Sequence, residues 1–413
     1  MDQRKRYKKK RRGTRRKRIS RQERQIQLMM RLVALALGLI VVLAAVLAVR
    51  GLGKRQDQET AAQAETKTEE TQEEATPTPA PEPVTITVSA AGDCTLGMDE
   101  DFDYDTSFNA MYESVGDPGW FFENVRPVFE TDDLTIVNLE GPLTESEDIQ
   151  EKTFAFKGDP SYVQVLTEGS VEAANLANNH SQDYGESGYE DTMEYVEAAG
   201  IRTFGYDRTA LMDIKGVKVG LAGIYVLADG MERTEQLKEK IAQLKEQGAQ
   251  LIIVSFHWGT EKENYPDDTQ KALAHTAIDE GADLVLGHHP HVLQGIETYK
   301  GKKIVYSLGN FCFGGNSNPS DKDTMIFQQT FTITGDEVAE DENITIIPCS
   351  ISSESDYNNY QPTPVSGEEK TRIEERIAQY SEGLTAESGN EEETPEEETS
   401  EETSEETEGS TYE

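Results

Sequence analysis

Residues 84–365 of the 413-residue chain predict a layered α/β domain. Short β-branched or apolar runs alternate with amphipathic stretches through the middle of the chain, and runs of strand character dominate after residue 292. Polar clusters recur where the apolar runs stop, and roughly 280 residues suit one large domain.

Val84-Thr-Ile-Thr-Val-Ser-Ala alternates as a half-buried strand does and runs into Gly92-Asp93. Residues 133–140 read as a second strand, ending in Asn138-Leu139-Glu140. A helix is expected over 160–168, then a strand over 171–176 that leads to Asn178-Asn179-His180. Tyr189, Met193 and Val196 give helical spacing to 188–199, which Gly200 stops. Strands follow near 211–214 and 217–224, then a charged amphipathic helix over 232–246. The apolar run 250–256 reaches His257-Trp258-Gly259, and a helix over 267–280 precedes Leu284-Val285-Leu286. Strands over 292–299, 302–307, 325–333 and 344–351 complete the domain.

The flanks have other compositions. Fourteen Lys or Arg fall within residues 1–24, and residues 32–49 are eighteen residues without a charge, long enough to cross a bilayer. The basic block predicts a cytoplasmic tail at 1–31 and a signal anchor at 32–50, with the main domain outside the cell membrane. The anchor and basic tail imply lipid contact. Residues 51–83, rich in Glu, Thr and Pro, read as a disordered spacer. Residues 366–413 read as an acidic, mostly disordered tail with room for a short helix at 368–380.

The chain carries a net charge of −39. Within 84–365 there are 17 Lys and Arg against 50 Asp and Glu. Such a surface excludes nucleic acid as a partner and is compatible with cation binding. Three cysteines (Cys94, Cys312, Cys349) make neither a disulfide framework nor a thiolate metal site.

Half of the six histidines lie in Gly287-His288-His289-Pro290-His291, directly after a strand. On an extended backbone His289 and His291 face one side, where two imidazoles suit a divalent ion. Each other cluster has an ordinary explanation alone: Asp93 can cap a turn, Asn178-Asn179 can supply left-handed backbone, and His257 can pack on Trp258. Together they offer Asp, Glu, Asn and His at five strand ends, a set suited to Mn, Fe, Zn or Mg.

These motifs, with Glu261 and Ser307-Leu-Gly-Asn310-Phe311, resemble the CapA family, which is associated with poly-γ-glutamate capsule synthesis and lies within the calcineurin-like metallophosphatase superfamily. The resemblance implies a metallophosphatase-like layered β-sandwich flanked by helices. It implies Asp93, Glu140, Asn179, His257, His289 and His291 as metal ligands, with His288 as the alternative to His289. His180 would protonate a leaving group, while Glu261, Ser307 and Asn310 would touch substrate or steady a ligand. The superfamily's opening Asp-x-His is here Asp93-Cys94-Thr95, and Glu140 replaces a bridging aspartate, so one metal position is weakened or completed by Glu261. The expected function is metal-dependent handling of an anionic exopolymer, with membrane polymer-synthase subunits as further partners. The alternatives are a non-catalytic polymer- or synthase-binding component and an exported phosphodiesterase unrelated to capsule.

Overall fold

A computed structural model describes residues 82–339 and 343–384. The expected tail and anchor, and the expected spacer as far as residue 81, lie outside the described residues. Among the described residues, no helix is long and apolar enough to cross a membrane.

Two sheets are built from the apolar runs. The first contains β1 (Val84–Thr95), β2 (Leu134–Leu139), β3 (Ala173–Asn175) and β4 (Arg202–Phe204), side by side in that order. The second contains β5 (Thr209–Ile214), β6 (Val217–Tyr225), β7 (Leu251–His257), β8 (Leu284–His288), β9 (Ile296–Tyr299) and β10 (Lys302–Val305), in the order β9-β10-β8-β7-β6-β5. Returning to the first sheet, β11 (Asn310–Phe313) pairs with β1, as does β12 (Asp323–Thr334), which in turn pairs with β13 (Ile344–Ser350). Pairing along β1-β2-β3-β4 and β6-β7-β8-β10 is parallel, so the carboxyl ends of these strands gather at one edge of each sheet.

The layers follow from alternation. Ile86, Val88, Leu134 and Ile136 of the first sheet share one core with Leu221, Ile253 and Leu286 of the second. Residues one position along face the other way. Ile252, Val254 and Val285 pack under α4 (Thr234–Glu246) and α5 (Asp268–Asp279), which bury Leu237, Ile241, Leu273 and Ala277. Ala91, Val137 and Ala174 meet Phe108 of α1 (Phe108–Val115), Leu166 of α2 (Val163–Glu168) and Val196 of α3 (Gly185–Ala198). The order is helices, sheet, sheet, helices. Strands covered on both faces explain why 251–254 is continuously apolar rather than alternating.

Two local outcomes differ from expectation. The strand expected over 292–299 is confined to β9, because Val292 lies in a loop where its carbonyl accepts from Ser307 Oγ at 2.7 Å. The folded domain also passes the expected boundary at 365: α6 (Gly367–Ser381) buries Ile373 and Ile377 in the core between the sheets. One apolar residue per turn is easily lost in a glutamate-rich stretch, and Tyr380 joins this pair on the buried face. Arg372 and Arg376 fasten it to Asp321 and Asp323.

Ile373 is fully buried. Ile373→Ala is expected to destabilise the protein by about 2–5 kcal/mol in urea unfolding. A loss below about 0.5 kcal/mol, typical of surface changes, would show that α6 is not part of the core.

Candidate metal centre

A row of polar side chains crosses the first sheet. Asp93 is in register with Asn138 and with Asn310, and Asn138 is in register with Asn175. Asn138 Nδ2 donates to Asp93 Oδ1 at 2.8 Å, and Asn175 Nδ2 donates to Asn138 Oδ1 at 3.0 Å. The β1–β2 register shifts between Ala90 and Asp93, and such an irregularity re-aims the side chain that follows it. Gly92 precedes Asp93 because a Cβ there would stand 2.0 Å from the Gly309 carbonyl oxygen. Gly287 has the same role beside the histidines, where a Cβ would meet the Tyr306 carbonyl oxygen at 1.9 Å.

The second sheet supplies imidazoles. His257 and His288 are the last residues of adjacent strands and pair in register. His289 and His291 follow with φ of 97° and 57°. They therefore converge through a left-handed turn, not through the extended alternation that the sequence implies. Their ring centroids lie 5.5 Å apart, and His289 is 4.8 Å from His257. Positive φ at two non-glycine residues costs about 1–3 kcal/mol each, the kind of strain that surrounding structure must enforce.

Glu140 stands between the two sheets. Its carboxylate is completely buried, and neither oxygen has a hydrogen-bond partner. Glu140 Oε1 is 3.7 Å from His257 Nε2 and 3.9 Å from His291 Nε2. His289 Nδ1 and both nitrogens of His288 are also buried without partners. Buried polar atoms normally find partners, and an orphaned carboxylate is the costliest exception. The orphaned atoms fit a divalent cation. Two ligand triads share Glu140: Asp93–Glu140–His291 and Glu140–His257–His289. A third, Glu261–His289–His291, reaches the exposed rim.

Neighbouring groups orient these ligands. Asn179 Oδ1 lies 2.7 Å from His257 Nε2, the same nitrogen that is 3.7 Å from Glu140 Oε1. Asn310 Oδ1 is 2.9 Å from His291 Nδ1, an arrangement that leaves Nε2 toward Glu140. His288 sits behind Asp93, with Nδ1 3.6 Å from Asp93 Oδ1, and joins none of the three triads. Ser307 touches the backbone only, accepting from Gly309 N while donating to Val292.

His180 is buried beside the cluster. Its Nδ1 is 2.7 Å from Asp183 Oδ2, and Phe156 lies against the ring at 4.4 Å. Asp183 also accepts from Phe156 N at 2.8 Å and pairs with Lys152. His180, Glu261, His291 and Asn310 line a cavity of about 440 Å³ with Phe154, Phe156 and Phe313 on its walls.

The charges of the cluster set one another's protonation. Burial pushes the Glu140 carboxyl up to about 8, with Asp93 adding to the shift and His291 opposing it. Burial works against charge on His291, but Glu140 and Asp93 overcome it and raise the ring to about 9. Asp93 is likewise opposed by burial, yet His288 and His291 hold it well below the usual carboxylate range. Burial and the neighbouring histidines lower His257 well below its ordinary value and His289 to about 4, leaving both rings neutral and fit to coordinate.

Asn138 and Asp183 are the functional neighbours that strand-end reasoning passed over. Asn138 was visible two residues before Glu140, and its role depends on inter-strand register. Asp183 carried a readable signal, a carboxylate three residues after a histidine.

Fold and centre together define a layered α/β protein with a carboxylate–histidine cluster able to hold a divalent metal. Residues 87–315 match the family described as bacterial capsule synthesis protein PGA_cap, and the chain belongs to that family. It is 30% identical over 281 residues to the capsule biosynthesis protein CapA of Bacillus anthracis, covering 62% of this chain and 66% of the relative. It is 32% identical over 214 residues to the PGA biosynthesis protein CapA of Bacillus subtilis (strain 168), covering 46% of this chain and 56% of the relative. The chain thus spans between about half and two thirds of these relatives' lengths. A 5'-nucleotidase structure from Candida albicans covers 71% of this chain and 56% of its own at 10% identity, with a TM-score of 0.39.

Metal binding must displace protons held by the Glu140–His291 pair, both of whose values are raised, to about 8 and about 9, so that the pair retains proton at pH 7. Affinity for Mn²⁺ or Zn²⁺ is therefore expected to rise with pH until about 9, with proton release at pH 7. Calorimetry in buffers of different ionisation enthalpy reads the release directly. A pH-independent affinity without proton release would contradict this charge arrangement.

Proposed function

We propose that this chain is a membrane-anchored, extracytoplasmic protein that acts on an anionic exopolymer, such as poly-γ-glutamate, through a metal-dependent hydrolase-type site. The observation that carries the reading is the orphaned Glu140 carboxylate, buried among Asp93, His257, His289 and His291. The capsule and PGA biosynthesis roles printed for the Bacillus relatives support the polymer, and the uncharged run at 32–49 supports the anchor. Membrane synthase subunits are the proposed protein partners.

Asp93, Glu140, Asn179, His257, His289 and His291 would hold the metal, with Glu261 at the open side. A divalent cation there supplies Lewis acidity and a water of lowered pKa. Mn, Fe, Zn and Mg all suit this donor set. The chain's own groups do the positioning. Asn310 holds His291, and Asn138 holds Asp93 against its neighbours. His180 donates Nδ1–H to Asp183, which leaves Nε2 for the cavity that the ring lines. Burial keeps His180 below its ordinary value, with Asp183 opposing, so the ring is neutral at neutral pH before substrate arrives. An incoming anionic group raises that value and lets His180 carry a proton to a leaving atom. Phe156 and Phe313 give this position apolar walls.

His180→Ala is expected to lower turnover of a phosphodiester or of poly-γ-glutamate by about 10²–10⁴-fold while metal content stays unchanged. His289→Ala/His291→Ala is expected to lose metal and turnover together. Activity on the phosphodiester alone would favour an exported phosphodiesterase. Metal binding with no turnover of either substrate would favour the non-catalytic polymer- or synthase-binding role.

A further inference from the structure

His180 is held by Asp183, and Asp183 is held in turn by a segment outside both large sheets. Gln150 N donates to the Asp183 carbonyl at 2.9 Å, and Phe156 N donates to Asp183 Oδ2 at 2.8 Å. Between these two anchors, Lys152 Nζ donates to Asp183 Oδ1. Residues 150–156 therefore clasp Asp183 at its backbone and at both carboxylate oxygens. The Asp183 side chain is completely buried, whereas that of Lys152 is 29% exposed.

Lys152 is itself fixed by a second bond, from Nζ to the Asn179 carbonyl at 2.7 Å. Its Nζ lies 3.4 Å from His180 Nδ1, which is 2.7 Å from Asp183 Oδ2. The ammonium and the ring N–H are both donors, so they meet opposite oxygens of one carboxylate instead of bonding each other. A buried carboxylate that faces only a neutral ring and a backbone amide lacks counter-charge, and losing its partner is costly. Among the described residues, Lys152 is the one lysine or arginine ion-paired with Asp183. A hydrogen bond orients a ring only as firmly as its acceptor is held, and here the acceptor is held from outside the cavity.

We propose that Lys152 is a positioning residue for proton delivery by His180. It meets the charge of Asp183, occupies the oxygen that the ring does not use, and so fixes the direction in which Nε2 points. This rests on the hydrolase-type reading given above and adds the outer member of a Lys152–Asp183–His180 row.

The test uses the full chain with excess Mn²⁺, with bis(p-nitrophenyl) phosphate and poly-γ-glutamate as substrates. Lys152→Gln is neutral yet can still donate to Asp183. It should lower kcat about 10–100-fold while KM and metal content stay unchanged. His180→Ala/Lys152→Gln should be no slower than His180→Ala alone, because a residue that acts through His180 then has nothing to act through. Lys152→Cys supplies a rescue. Residue 152 is exposed and Cys94, Cys312 and Cys349 are all buried, so 2-bromoethylamine reaches the introduced thiol selectively. The sulfur displaces bromide and restores an ammonium at the length of a lysine, and most of kcat should return. Thermal unfolding establishes that each variant is folded. An unchanged kcat in folded Lys152→Gln, a loss that multiplies with that of His180→Ala, or a loss of metal together with turnover would overturn the positioning role and leave the hydrolase reading standing. Turnover of neither substrate by the unmodified chain would overturn the hydrolase reading, and the positioning role with it.

Discussion

A completely buried carboxylate with no partner is the constraint around which this domain is arranged. Removing an ionised carboxylate from water costs several kcal/mol even after the protein relaxes, unless opposite charge meets it. Glu140 is placed in that position by backbone that has no freedom to withdraw it. It follows β2 directly, its N–H donates to the Cys94 carbonyl at 2.9 Å, and Asn178 Nδ2 donates to the Leu139 carbonyl at 2.9 Å. The surroundings answer with imidazoles from the opposite sheet. Two of these sit at backbone angles that a turn without function would give to glycine or asparagine.

Topology makes the meeting possible. The parallel strands of both sheets deliver their carboxyl ends to neighbouring edges, and His289 N donates to Asp93 Oδ2 across the gap at 3.3 Å. The polar row Asp93–Asn138–Asn175 lets the first sheet carry a charged group at its centre without leaving the amides unpaired. Its amides take each other as partners and hold Asp93 in one orientation. The helices α1 to α5 cover the outer faces, and the edge that bears the centre borders the cavity beside His180.

Much of this was legible in the sequence. Asp93, Glu140, His257 and the Gly287–His291 stretch could be read as one site because chemically costly residues followed apolar runs, and a strand's end has a predictable place in an α/β sheet. What escaped depended on distances the sequence does not encode. Asn138 meets Asp93 through parallel register between segments 45 residues apart. Ser307 and Asn310 looked equivalent as polar residues of one motif, yet one fixes a loop carbonyl and the other a ligand ring. The place of α6 was hidden because Ile373 and Ile377 are two apolar residues among charges, and only the gap between the sheets shows what they fill.

The central claim is that Glu140 is held in place for a cation. Its most direct test is thermal unfolding of the unmodified chain and of Glu140→Gln at pH 9, above the Glu140 value of about 8, each with EDTA and with excess Mn²⁺ or Zn²⁺. The account predicts that Glu140→Gln is the more stable protein in EDTA, because a neutral amide replaces a buried charge whose burial outweighs the opposing pull of His291. It also predicts that only the unmodified chain gains substantially in Tm when metal is added. Equal metal-induced shifts in the two proteins, or a Glu140→Gln variant that is less stable in EDTA, would contradict it.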